Sequence, residues 1–122
     1  MVGVEVTSIE KSYGSGPVLD GVSMTFEAGR LTTLLGPSGS GKTTLLRIIG
    51  GFVAPEVGQI RFGTEDVTDA PVWKRNIGMV FQSYALFPHM SVFQTVVYGL
   101  HRRGSAEARR SEKFFAPWRW CV

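Results

Sequence analysis

Cysteine is almost missing from this 122-residue chain. The single Cys121 excludes both a disulfide framework and a zinc-binding cysteine set. Long apolar runs are missing too: none approaches the roughly 20 residues of a membrane span. The N-terminus lacks the basic start and apolar block of a secretory signal, so the chain is expected in the cytosol. The net charge of +3 suggests nucleic acid until it is located. Residues 1–100 carry 7 Lys/Arg against 8 Asp/Glu, and residues 101–122 carry 6 against 2. With no polycationic face on the body, direct DNA or RNA binding is discounted. There is no internal repeat and no low-complexity segment. The length sets a ceiling of one domain, large enough to bury about two-thirds of its unfolded surface.

What the chain does have is glycine, concentrated where it matters most. Gly36-Pro37-Ser38-Gly39-Ser40-Gly41-Lys42-Thr43 fits the phosphate-binding loop pattern, Gly-x4-Gly-Lys-Ser/Thr. The pattern alone has false positives, so its flanks must decide. Residues 31–35, Leu-Thr-Thr-Leu-Leu, are short, apolar and β-capable, which predicts a buried strand. Leu45, Leu46, Ile48 and Ile49 fall on a helical repeat that stops at Gly50-Gly51, a predicted C-terminal cap. Strand, glycine loop and helix form the context the motif requires. Gly36, Gly39 and Gly41 let the backbone approach a ligand with no Cβ in the way. Amides from Gly39 to Thr44 would face inward at a helix N-terminus, where the dipole favours negative charge. Lys42 offers a point charge to the outer phosphates. The Thr43 hydroxyl is placed to ligate Mg2+, with β- and γ-phosphate oxygens completing its shell. These residues point to a nucleoside triphosphate.

Along the rest of the chain, Val2, Val4 and Val6 alternate with Gly3, Glu5 and Thr7, predicting a half-buried strand that runs on toward Ile9. Residues 11–17 read as a turn-rich loop, and Val22, Met24 and Phe26 as a second strand antiparallel to the first. Residues 59–62 predict a short strand between Gly58 and Gly63. The acidic run holding Glu65, Asp66 and Asp69 reads better as a solvated turn than as a metal cluster. Residues 77–81 predict a buried strand that delivers Gln82 at its C-terminal end, the edge where open α/β sheets gather ligands. Ser91 and Gln94 form a capping box opening a helix with Val92, Phe93, Val96, Val97 and Leu100 on one face. A second short polar helix is expected from Ser105 to about Lys113. Alternating strands and helices make the class α/β. Neither His89 nor His101 has a carboxylate or cysteine at ligand spacing, so both read as structural.

Together these motifs resemble the ATP-binding subunit of ABC transporters, and among them the importers of polyamines and ferric iron. The likeness is carried by Gly36–Thr44, by Arg75-Asn-Ile-Gly-Met-Val-Phe-Gln-Ser-Tyr-Ala-Leu-Phe-Pro-His89, and by Ser91–Leu100. It implies a P-loop NTPase core with an N-terminal antiparallel β-subdomain. ATP and Mg2+ are the implied cofactors, bound by Gly36, Pro37, Ser38, Gly39, Ser40, Gly41, Lys42, Thr43 and Thr44. Tyr13 matches the aromatic residue that stacks on adenine. Gln82 matches the glutamine that touches Mg2+ or the attacking water and moves with the transmembrane partner. Residues Ser83–Met90 would then dock a coupling helix of the permease, and a second ATP-binding subunit would face the first in a homodimer. The implied location is peripheral, on the cytoplasmic side of the inner membrane.

The resemblance also marks what is missing. The Leu-Ser-Gly-Gly-Gln signature, the second aspartate strand (Walker B) with its catalytic glutamate, and the switch histidine do not occur in this chain. Without them phosphoryl transfer lacks a water-positioning group and much of its charge stabilisation. The likeness ends near Gly104, and residues 105–122, with Trp118-Arg-Trp-Cys-Val122, read as a divergent basic and aromatic tail, a frameshift or truncation being the expected cause. The function implied is the ATP-binding component of an importer; the alternative is a truncated module that binds ATP without efficient hydrolysis. A small nucleotide kinase is disfavoured, because no arginine-rich lid or acceptor-base pocket is visible.

Overall fold

The computed structural model describes residues 2–14, 16–82 and 87–102. They belong to two compact units, residues 1–79 and 80–122. Strands β1 (Val4–Ser12), β2 (Pro17–Phe26), β3 (Val57–Phe62) and β4 (Glu65–Asp66) and helix α1 (Lys42–Ile49) lie in the first unit. The four strands make one antiparallel sheet in the order β2-β1-β3-β4. This is the N-terminal antiparallel subdomain that the sequence implies. Both predicted strands extend further than expected, β1 running to Ser12 and β2 starting at Pro17.

The sheet's core depends on a break in strand alternation. Strict period-two alternation would send Val6 and Ile9 to opposite faces. Both are buried, at 1% and 0% exposure. Between them the ladder shifts register, and Ser8 adopts a positive φ of 49° with its amide donating to Ser23 Oγ at 2.8 Å. That bulge returns Ile9 to the face Val6 occupies. Val6, Ile9, Leu19 and Ile60 then pack with Leu45 and Ile48 of α1 and with Val67. Each such side chain contributes about 1.5–3 kcal/mol of burial, so this cluster is what holds α1 against the sheet.

Helix α1 ends as a Schellman motif. Phe52 N donates to Arg47 O at 2.8 Å, and Gly51 N donates to Ile48 O at 3.0 Å, with Gly51 at φ 77°. In the second unit α2 (Val92–Arg102) opens on the expected capping box. Gln94 N donates to Ser91 Oγ at 3.2 Å, and Ser91 N donates to Gln94 Oε1 at 2.8 Å. The side chains of Val96, Val97, Leu100 and His101, the expected helix over 105–113, and the boundary near Gly104 lie outside the described residues.

Two predicted strands do not form. Residues 31–37 and 76–81 join no ladder. Leu31 is 97%, Leu35 89% and Val80 93% exposed, where burial was expected. A parallel-type strand is stable only with neighbours on its edges and layers on its faces, and the described residues supply no parallel neighbour. Apolar propensity without a partner leaves an extended, wet segment. Such a segment promotes association. Replacing Leu31 and Leu35 with aspartate should raise the soluble, monomeric fraction seen in sedimentation. Unchanged self-association would show that other surfaces drive it.

The acidic turn after β3 is tied down internally. Asp66 accepts from Thr68 Oγ1 at 2.6 Å, from Thr68 N at 2.9 Å and from Gln59 Nε2. These bonds, Thr68's first, hold the Asp66 carboxyl at about 2 against an ordinary 3.8. A depressed folded value stabilises the fold above about pH 4, and that contribution drains away as pH falls toward 2. In acid titration of stability, Asp66→Asn should flatten the profile over that window. A profile unchanged in Asp66→Asn would mean the turn's bonds persist without the charge.

Candidate functional site

The site lies where the β1–β2 turn meets the N-terminus of α1. Tyr13, Val18, Gly39, Ser40, Gly41, Lys42, Thr43 and Thr44 line a pocket of about 300 Å3. The order of elements explains why these distant residues meet. Packing of α1 on the sheet brings its first residues against the start of β2. Gly41 caps the helix at φ 81° and sits so close to β2 that a Cβ there would lie 2.7 Å from Leu19 Cδ2 and 2.8 Å from Val18 O. Both the left-handed φ and the contact require glycine. The first-turn amides of a helix have no intrahelical acceptor, and among the described residues no side chain caps this end, so they are open to an anion.

Lys42 folds back over the loop. Its Nζ donates to Gly36 O at 2.9 Å, Pro37 O at 2.6 Å and Ser40 Oγ at 3.0 Å. Those bonds hold residues 36–40 curled around one ammonium, and Ser40 N to Pro37 O at 3.3 Å tightens the turn. Ser38 is exposed at the outside of that turn. Thr43, exposed, lines the pocket at the second helical position. The loop therefore presents one cation, a helix N-terminus and hydroxyl groups to a single cavity. That donor set suits a polyphosphate, and Tyr13 on the same wall offers a flat apolar face.

Gln82 belongs to the second unit and is exposed in an irregular stretch, without the strand expected to deliver it. Of the expected docking segment, Ser83 to residue 86 lie outside the described residues. Phe87 packs on Tyr98 of α2 with ring centroids 5.0 Å apart, and edge-on against His89 at 6.1 Å. Among the described residues, no three His, Cys, Asp or Glu side chains come together to hold a metal.

The structure adds Arg75, to which sequence reading assigned no role. It is only 5% exposed. Nη1 donates to Ile48 O at 2.9 Å and Ile49 O at 2.8 Å, Nη2 to Thr68 O at 2.8 Å, and Nε to Ala70 O at 2.8 Å. A cation thus satisfies the last carbonyls of the helix whose first amides face the pocket. Burial pulls the guanidinium's pKa below its ordinary value while Asp69 pushes the other way; an arginine stays charged through either. In the sequence, Lys74-Arg75 looks like any basic surface pair, and nothing local signals burial.

Comparison with known proteins agrees with this geometry. The family model for the ABC transporter matches residues 19–118. The chain is 50% identical over 105 residues to the Fe(3+) ions import ATP-binding protein FbpC of Escherichia coli (strain K12), covering 86% of this chain and 30% of that protein. It is 46% identical over 112 residues to the spermidine/putrescine import ATP-binding protein PotA of Legionella pneumophila (strain Paris), covering 92% and 31%. The chain therefore spans about a third of the length of these relatives. Among solved structures, the ATP-binding cassette MJ0796, dimeric and bound to ADP and Pi after hydrolysis, superposes with a TM-score of 0.76 at 30% identity. The match covers 88% of this chain and 53% of that one. No helix among the described residues is long and apolar enough to cross a membrane. On the family match and these identities, the chain belongs to the ATP-binding subunits of the ABC transporter family.

Proposed function

We propose that this chain binds Mg-ATP at the Gly36–Thr44 loop, as the nucleotide-holding part of a subunit that couples ATP hydrolysis to import of a small solute. The observation that carries the reading is the Lys42 ammonium, wrapped by its own loop at the mouth of the pocket that Tyr13 shares. On binding, Lys42 exchanges loop acceptors for phosphate oxygens, which as ionised acceptors make the stronger bonds. The amides from Gly39 to Thr44 take the remaining phosphate charge. Tyr13 stacks on the adenine ring. Mg2+ would supply charge neutralisation at the β- and γ-phosphates, and Thr43 would hold it through its hydroxyl, with Gln82 as a further ligand or water-orienting group. The pocket lining fits such an ion, since the hydroxyls of Ser40, Thr43 and Thr44 are the hard oxygen donors that Mg2+ accepts.

The partners on this reading are permease subunits, engaged through Ser83–Met90, and a second ATP-binding subunit. The place of action is the cytoplasmic side of the membrane. For the 122-residue chain alone, ATP binding without efficient turnover is the favoured activity, because no signature motif or catalytic glutamate occurs in it. Calorimetric binding of Mg-ATP together with a phosphate-release assay tests both statements. Binding with no release is expected. Release above background would mean that the chain supplies a water-positioning group of its own, and absence of binding would overturn the reading.

A further inference from the structure

The adenine-facing end of the pocket has a supporting arrangement of its own, outside the phosphate loop. Tyr13 is the first residue past β1, on a short turn. Lys11 Nζ lies 5.5 Å from the centroid of the Tyr13 ring, within cation–π range. Lys11 does not line the pocket, whereas Tyr13 does. The ammonium is fixed in turn by Glu56, whose Oε1 accepts from Lys11 Nζ at 2.9 Å and whose Oε2 accepts from Ser12 N at 3.2 Å. Glu56 itself is set by the ladder, with its amide donating to Glu10 O at 2.9 Å just before β3 begins opposite β1. The chain of support runs from β3 to carboxylate to ammonium to ring.

We propose that Lys11 and Glu56 are positioning residues for the nucleobase, holding the Tyr13 ring so that its pocket-side face receives the base. This deepens the ATP-binding reading and rests on it. The Lys11 side chain is only 17% exposed and that of Glu56 46%. With its carboxylate open to solvent, the pair is screened on that side and adds modestly to stability. Its effect is therefore expected on the orientation of Tyr13 rather than on the fold. Lys11 and Ser12 also hold the Glu56 carboxyl below its ordinary pKa, so the pair stays ionised at neutral pH.

The test separates base from phosphate. Affinities of the full chain for Mg-ATP and for Mg-tripolyphosphate, which carries no base, are measured in wild type and variants. Lys11→Met should lose about two- to fivefold in ATP affinity, the worth of a cation–π contact, with tripolyphosphate affinity unchanged. Glu56→Gln should fall between wild type and Lys11→Met, and Lys11→Arg should restore ATP affinity, since a guanidinium also stacks on a ring. In a Tyr13→Leu background, Lys11→Met should change nothing for either ligand. Equal losses for both ligands would mean that Lys11 acts as a general charge toward phosphate and would overturn the inference, as would no loss at all. ATP held no more tightly than tripolyphosphate by wild type would sink this inference alone. Failure to hold either ligand would sink the phosphate-loop reading with it.

Discussion

Replacing Lys42 with alanine is expected to cost the chain about tenfold to a hundredfold in Mg-ATP affinity, the worth of one to two charge-assisted bonds, while leaving its stability nearly unchanged. The two halves of that statement come from one geometry. Nζ donates to Gly36 O, Pro37 O and Ser40 Oγ at solvent-accessible positions, so water can replace it at each acceptor when the side chain is removed. Nothing replaces it toward a triphosphate, because among the described residues no other cation lines the pocket. Lys42→Arg should not rescue binding: the ammonium sits among three acceptors at 2.6–3.0 Å, too tight for a planar guanidinium. Titration calorimetry beside urea unfolding would check the pair. Affinity within twofold of wild type would remove Lys42 from the site, and a large fall in stability would make the loss of binding indirect.

Arg75→Met should produce the largest loss of stability of any change proposed for this chain, about 3–5 kcal/mol, by stranding acceptors in a buried place. Four carbonyls share this guanidinium, two from the end of α1 and two from the turn after β4. Truncation takes the charged donor from all four, and Ile48 O, on a fully buried residue, keeps only the Gly51 amide of the helix cap. Against a typical domain stability of about 5–15 kcal/mol, that loss is large enough to unfold part of the population. Arg75→Lys should recover some of it, since an ammonium carries three donors but cannot span the same fork. Gly51 should behave as a partner of Arg75. A Cβ there would lie 2.6 Å from Arg75 Nε, at a backbone φ of 77°. Midpoints of urea unfolding should rank wild type, Arg75→Lys, Arg75→Met. A midpoint for Arg75→Met near wild type would show that solvent reaches those carbonyls freely.

Much of the site was legible before any coordinates. The phosphate-loop pattern, the helix from Lys42 to Ile49 with its glycine stop, and the Ser91–Gln94 cap are local devices. Each is made of residues within a few positions of one another, so spacing alone reveals them. The paired strands at the N-terminus announced themselves by alternation. The bulge at Ser8 did not, because it exists to reconcile Val6 and Ile9 with a core that neither residue defines by itself.

The sequence by itself determined that this chain carries the Gly-x4-Gly-Lys-Thr pattern at a helix N-terminus and belongs with the ATP-binding subunits of ABC transporters. Tertiary structure decided three further matters. It left residues 31–35 and 77–81 without the ladders their apolar character predicts, because a buried strand requires neighbours that strand propensity cannot supply. It brought Tyr13 and Val18 to the phosphate loop by packing α1 on the sheet. And it turned Arg75, an ordinary basic residue in the sequence, into the buried clasp of helix α1, since the carbonyls it serves come from segments about twenty positions apart in sequence.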